Sequence, residues 1–128
     1  ISKSYKKNDS LNYLGFVDDI RPYMEEAKVY IVPLRIGGGT RLKILDAMAM
    51  GKAIVSTSIG CAGLEVKNAV HLLIEADPEG FSKAVCNLLE NDSMRKELGV
   101  NARRLAEEKY NWEILGKKLN GIYEMVKK

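Results

Sequence analysis

Residues Val32–Gly60 read VPLRIGGGTRLKILDAMAMGKAIVSTSIG. An apolar run leads into three consecutive glycines, Gly37–Gly39, then a helical stretch closed by Gly51, then a second apolar run from Ala53. Strand, bare-backbone turn, helix and buried strand in that order make a right-handed βαβ crossover. The turn faces the helix N-terminus, where unbonded N–H groups and the helix dipole both favour negative charge. The stretch that decides the fold therefore also offers a place for a diphosphate.

Outward from this unit the alternation continues. Leu11–Phe16 (LNYLGF), after the turn-forming Asn8-Asp9-Ser10, predicts a strand. Asp18 or Asp19 then caps a short helix over Ile20–Lys28, with Pro22 tolerated in its first turn. Val29–Leu34 reads as a parallel strand covered on both faces, Gly37–Thr40 as the glycine turn and Arg41–Met50 as the helix, with Gly51 ending it. Ala53–Thr57 is a second buried strand, Ser58–Gly63 a small-residue loop and Ala69–Ile74 a fourth strand. Asp77-Pro78 opens a helix with Phe81, Ala84, Val85, Leu88 and Leu89 at helical spacing. Asp92-Ser93 caps another that runs to Glu108. A last helix from Asn111 places Trp112, Leu115, Leu119, Ile122, Tyr123 and Val126 on one stripe, read as core packing rather than as a membrane face. The expected class is α/β: an open parallel sheet with helices on both faces and a helical C-terminal tail.

The bulk numbers agree with one such domain over residues 1–128. A chain of 128 residues, 46% hydrophobic and 29% charged, is ordinary for a soluble domain with one real core. A net charge of +3 suits a small anionic ligand or weak contact with a membrane surface, and is too mild to argue for nucleic acid. Cys61 and Cys86 lack metal-type spacing and His71 is the sole histidine, so a zinc site is not expected and free thiols in a reducing compartment are. No apolar run is long enough to span a bilayer, and the N-terminus ISKSYKKNDS is not a signal peptide. The chain opens on Ile1, and a lone strand followed at once by βα units reads as a start within a longer protein.

Two familiar phosphate loops are excluded. Gly51-Lys52 is followed by Ala53 and comes after a helix, so it is not a P-loop; Gly37 and Gly39 are followed by Leu42, so the dinucleotide pattern fails too. What remains is a helix start suited to an anion. Thr40 is placed to cap it, and Arg41 and Lys43 add positive charge that opposes the helix dipole. An anionic ligand explains those charges; side chains that simply point to solvent are the other reading. Three glycine-containing loops, Gly15–Asp18, Arg35–Thr40 and Thr57–Gly63, are expected at the carboxyl edge of the sheet, where ligands of such folds bind. Asp46 stands in an otherwise apolar run, either as an acceptor for sugar hydroxyls or at an exposed position of a half-buried helix. His71 reads as a packed or edge histidine rather than a catalyst, and Cys61 as a small filler in the glycine loop.

The segment VYIVPLRIGGGTRLKILDAMAMGKAIVSTSIGCAGL strongly resembles the donor-binding C-terminal domain of family-four-type retaining glycosyltransferases with the GT-B fold. LNYLGFVDDIRPYMEEAKVYIVP before it, and FSKAVCNLLEN and NARRLAEEKYNW after it, agree, so the resemblance covers nearly the whole chain. It implies a Rossmann-like domain that grips a nucleotide-sugar, a UDP- or GDP-sugar, with the acceptor bound by a separate N-terminal domain. It places Gly37, Gly38, Gly39, Thr40, Arg41 and Lys43 beside the donor sugar and diphosphate, Asp46 at the ribose hydroxyls, and Gly15, Phe16 and Val17 at the nucleobase. The chain departs from the family pattern at three positions. Gly38 stands where the first glutamate of an E-x7-E pair usually lies, Asp46 replaces the second with a carboxylate one methylene shorter, and Ala62 stands where a glutamate is common.

The resemblance implies transfer of a sugar with retained anomeric configuration, the leaving diphosphate stabilised by backbone amides and positive charge without an obligatory metal or cofactor. The expectation is a hexosyltransferase of carbohydrate biosynthesis, cytoplasmic or peripheral to the inner face of the membrane. The chain is then its N-terminally truncated donor domain, lacking the first βα unit and inactive alone. A non-catalytic nucleotide-sugar-binding module and a sugar-nucleotide epimerase are the alternatives.

Overall fold

The alternation read from the sequence builds a small parallel sheet. The computed structural model describes residues 10–127, and the turn expected at Asn8 and Asp9 lies outside them. Strands β1 (Val29–Val32), β2 (Ala53–Ser56) and β3 (Leu73–Ile74) lie in the order β1-β2-β3, all parallel. Register pairs Val29 with Ala53, Val32 with Ser56 and Val55 with Leu73. Helices α1 (Arg21–Glu26), α2 (Leu42–Ala49), α3 (Pro78–Glu90), α4 (Asp92–Lys109) and α5 (Trp112–Val126) surround it.

Side-chain alternation along β2 divides the core in two. Ile54 joins Ile44, Ala47 and Met48 of α2 and Ala102 and Leu105 of α4. Ala53 and Val55 face the other way, onto Ala84 and Leu88 of α3 with Leu98 of α4. Helices therefore cover both faces, and the α/β class is as expected.

Local signals explain where the helices begin and end. Asp77 accepts from the amides of Glu79 and Gly80, and Asn91 and Asn111 accept from those of Met94 and Ile114. Gly51 closes α2 at φ +66°, with Gly51 N–H bonded to Met48 C=O and Lys52 N–H to Ala47 C=O, the double closure that a left-handed residue permits. At that closure α2 meets α4 backbone to backbone. A Cβ on Gly99 would stand 2.1 Å from the Gly51 carbonyl oxygen.

Several expectations are corrected. Leu11–Phe16 is irregular chain, not a strand: it pairs with none of the three strands, and Phe16 is 92% exposed. A ladder partner, not apolar content, is what makes a strand. The edge strand β1 is not covered on both faces, since Ile31 is half exposed. The strand expected over Ala69–Ile74 shrinks to Leu73–Ile74, because Ala69 takes φ +59° and Asn68 Oδ1 accepts the Ile74 amide. Ile20 occupies the N-cap position of α1 without a side-chain cap bond, and Asp19 Oδ1 accepts the Arg21 amide at 2.9 Å, the capping role expected of Asp18 or Asp19; Asn91, not Asp92 or Ser93, caps α4. The stripe of α5 is not core. No α5 residue is buried, and Trp112 is 85% exposed. Among the described residues no helix is long and apolar enough to cross a membrane.

His71 has a structural place, as expected. Its Nδ1 accepts the Lys67 amide at 3.0 Å and closes the turn before β3. Burial, then the Lys67 ammonium, hold it below the ordinary imidazole range.

Two outcomes are expected. Gly99→Ala forces the α2–α4 contact apart and lowers stability by about 1–3 kcal/mol in chemical denaturation. A histidine held down in the native state is protonated first in the unfolded chain, so its contribution is full above the ordinary imidazole pKa and declines as pH falls through it. The loss of Tm between about pH 7.5 and about pH 5.5 is accordingly smaller in His71→Gln than in the unchanged chain.

Candidate functional site

Parallel strands deliver their exits to one edge, and here the exits of β1 and β2 are fastened together. Thr57, the first residue past β2, is 8% exposed. Its amide donates to Val32 C=O at 3.3 Å, its hydroxyl donates to Leu34 C=O, and the same oxygen accepts the Gly60 amide at 3.0 Å. Gly60 is there for closeness: a Cβ would lie 2.3 Å from Ser56 Oγ and 3.0 Å from Val32 C=O. Ser56, fully buried, turns its hydroxyl onto the Thr57 carbonyl at 2.9 Å.

The glycine turn follows from Leu34. Of its three glycines only Gly39 needs to be glycine for backbone reasons, with φ +86°. At Gly38 a Cβ would meet nothing within 4 Å. Gly38, Thr40, Arg41, Lys43, Leu34 and Gly60 line an open cavity of about 330 Å³. The first amides bonded within α2 are those of Ile44 and Leu45, both to Arg41 C=O, so the amides before them point out of the helix end.

Thr40 does not cap this helix. The cap position is Arg41, with no side-chain cap bond. The Arg41 guanidinium instead folds back over the turn, Nη1 donating to Gly38 C=O at 3.3 Å and Nη2 to Gly37 C=O at 3.2 Å. Arg41 is thus neither free in solvent nor wholly committed: a guanidinium has five N–H donors, and Nε is buried with no partner among the described residues. Lys43 is exposed at the rim.

Asp46 lies on the exposed side of α2, in a separate groove of about 510 Å³ between α2 and the α4–α5 corner. Arg103, Tyr110 and Trp112 share it, and Thr40 and Leu42 line both hollows. Burial, then the Asp46 carboxylate, push the Tyr30 phenol up. Gly15, Phe16 and Val17 do not line the cavity at the turn, which takes its lining from the glycine-turn loop and the loop at Gly60. Cys61 is buried, its thiol pushed up by burial despite the nearby Arg41 guanidinium. Among the described residues no three His, Cys, Asp or Glu side chains converge as metal ligands.

The sequence reading missed Thr57, although a hydroxyl residue at the exit of a buried strand signals a backbone staple. It also missed Arg103 and Tyr110, and it placed Trp112 in the core. Tyr110 is fixed from a distance, its hydroxyl accepting the Glu65 amide at 2.7 Å while Lys109 pairs with the Glu65 carboxylate.

A family model described as "Glycosyl transferases group 1" matches residues 2–91. The chain belongs to this family. It is 31% identical over 121 residues to an uncharacterized glycosyltransferase of Methanocaldococcus jannaschii, covering 91% of this chain and 31% of that protein. It is 29% identical over 124 residues to the phosphatidyl-myo-inositol mannosyltransferase of Mycobacterium tuberculosis, covering 91% of this chain and 32% of the relative. Among solved structures, sucrose-phosphate synthase from Thermosynechococcus elongatus superimposes with a TM-score of 0.73 at 22% identity, over 84% of this chain and 27% of that one. That likeness bears on the fold, which is the expected C-terminal GT-B domain. The chain spans about a third of the length of the curated relatives it matches.

The glycines of the turn are separable by substitution. Gly39→Ala costs about 1–2 kcal/mol for its left-handed φ, whereas Gly38→Ala leaves stability within about 0.5 kcal/mol, as at an unconstrained surface site. Urea unfolding of both variants checks the difference.

Proposed function

We propose that this chain is the nucleotide-sugar-binding domain of a hexosyltransferase that retains anomeric configuration, with the acceptor held by another domain of the longer protein. Residues 1–128 act as one donor-binding domain, inactive alone, in an enzyme placed in the cytoplasm or against the inner face of the membrane. The observation that carries this reading is the glycine turn, where unused amides, Arg41 and Lys43 converge on an open cavity at the carboxyl edge of a parallel sheet.

The chemistry follows from charge. Breaking the bond between sugar and diphosphate leaves negative charge on the diphosphate, and groups already aimed at that position lower the barrier without reorganising. The outward amides of α2 and its dipole supply part of the positive potential. Arg41 supplies more, held in place by Gly37 and Gly38, and Lys43 adds a mobile cation. We assign Asp46 to the ribose hydroxyls, reached across Thr40 and Leu42, and assign the diphosphate to protein groups without a required metal. The mannosyl transfer in the printed name of the mycobacterial relative supports a hexose donor.

Calorimetric titration with UDP, GDP and ADP tests this. One nucleotide binds saturably; Arg41→Ala and Lys43→Ala each weaken it, Arg41→Ala by about tenfold or more (about 1.4 kcal/mol). EDTA leaves the isotherm unchanged. Absence of binding by all three nucleotides overturns the assignment, and turnover of a free nucleotide-sugar without acceptor makes the protein an epimerase.

A further inference from the structure

Thr57 does not line the cavity at the glycine turn, yet its hydroxyl bonds two residues that do. Leu34 carries the chain out of β1 toward the turn, and its carbonyl accepts a hydrogen bond from the Thr57 hydroxyl. Gly60 also lines the cavity, and its amide is bonded to the same oxygen. A single atom acts as donor to one loop and acceptor from the other, which only a hydroxyl at this size can do. The contact is sheltered from water, at a residue 8% exposed, where such bonds are strong and costly to leave unmade. The close seat of Gly60 against Ser56 and Val32 leaves that loop no slack to find another partner.

We infer that Thr57 is a positioning residue for the donor diphosphate: its hydroxyl sets the separation of the Leu34 and Gly60 walls and so the width of the anion cavity. The inference rests on the proposed donor function. Valine at this position keeps the shape and loses the hydroxyl; serine keeps the hydroxyl and loses a methyl. A merely structural threonine lowers the melting temperature of both variants while the folded fraction binds as before. A positioning hydroxyl separates them by affinity.

The test titrates the unchanged chain, Thr57→Val and Thr57→Ser with UDP and GDP, well below the melting temperature of each, with uridine and guanosine as phosphate-free controls. The expected result is a nucleoside diphosphate affinity weakened about tenfold or more in Thr57→Val and within about threefold of the unchanged chain in Thr57→Ser. Nucleoside binding is the same in all three. Equal affinity in the valine variant overturns the inference while leaving the donor site standing. Equal loss in both variants also overturns it, because the methyl and not the hydroxyl then matters. No binding of either diphosphate by the unchanged chain overturns the donor site, and the inference with it. If Thr57→Val fails to fold, amide exchange of Gly60 in Thr57→Ser decides: retained protection supports the hydroxyl bridge and lost protection refutes it.

Discussion

Everything in this domain is referred to β2. All four of its residues, Ala53–Ser56, are buried, and the strand is the only one of the three with a partner on each side. Its pleat sends Ile54 to one core and Ala53 and Val55 to the other. A slip of one residue would exchange these sets and disorder both cores at once, so the register is heavily constrained. That constraint reaches the site directly, because Ser56 and Thr57 are simply where the buried strand stops and the loop begins. The position of the cavity at the glycine turn is thereby inherited from packing rather than built from flexible loops.

The glycine turn shows how a basic residue can sit at the wrong end of a helix dipole. Arg41 at the start of α2 is unfavourable toward the dipole, but its guanidinium lies on the carbonyls of Gly37 and Gly38, the negative ends of two local dipoles. The fold thus compensates the charge in part and leaves donors unspent. Among the described residues Lys43 has no such compensation, and its charge faces the cavity it lines. Asp46 lies in a different hollow that shares Thr40 and Leu42 with the first, so one helix presents basic residues to one hollow and a carboxylate to the next.

Much of this was legible in the residues, and the failures share a cause. The βαβ unit, the glycine closure of α2, the caps at Asp77 and Asn111 and the two-faced sheet rest on local chemistry, which periodicity and cap residues report faithfully. Leu11–Phe16 and the α5 stripe were misread because apolar content says that a surface wants a partner, not that the partner lies within these residues. Thr40 was misread as a cap because the backbone at Arg41 takes φ −85° and ψ 49° and shifts the helix start by one residue. Thr57 escaped notice because its importance lies in two carbonyl and amide groups brought to it from distant parts of the chain.

The two cysteines have unequal fates in practice. Cys61 sits inside the core, its thiol donating to Thr57 C=O at 3.4 Å and held protonated by burial, which denies it the thiolate that alkylating reagents attack. Cys86 is free and exposed on α3, the helix that covers the face of the sheet opposite α2. The native sequence therefore carries one addressable attachment point, and a fluorophore or spin label placed there would ride on a rigid helix, clear of the glycine turn, without a single residue having to be changed.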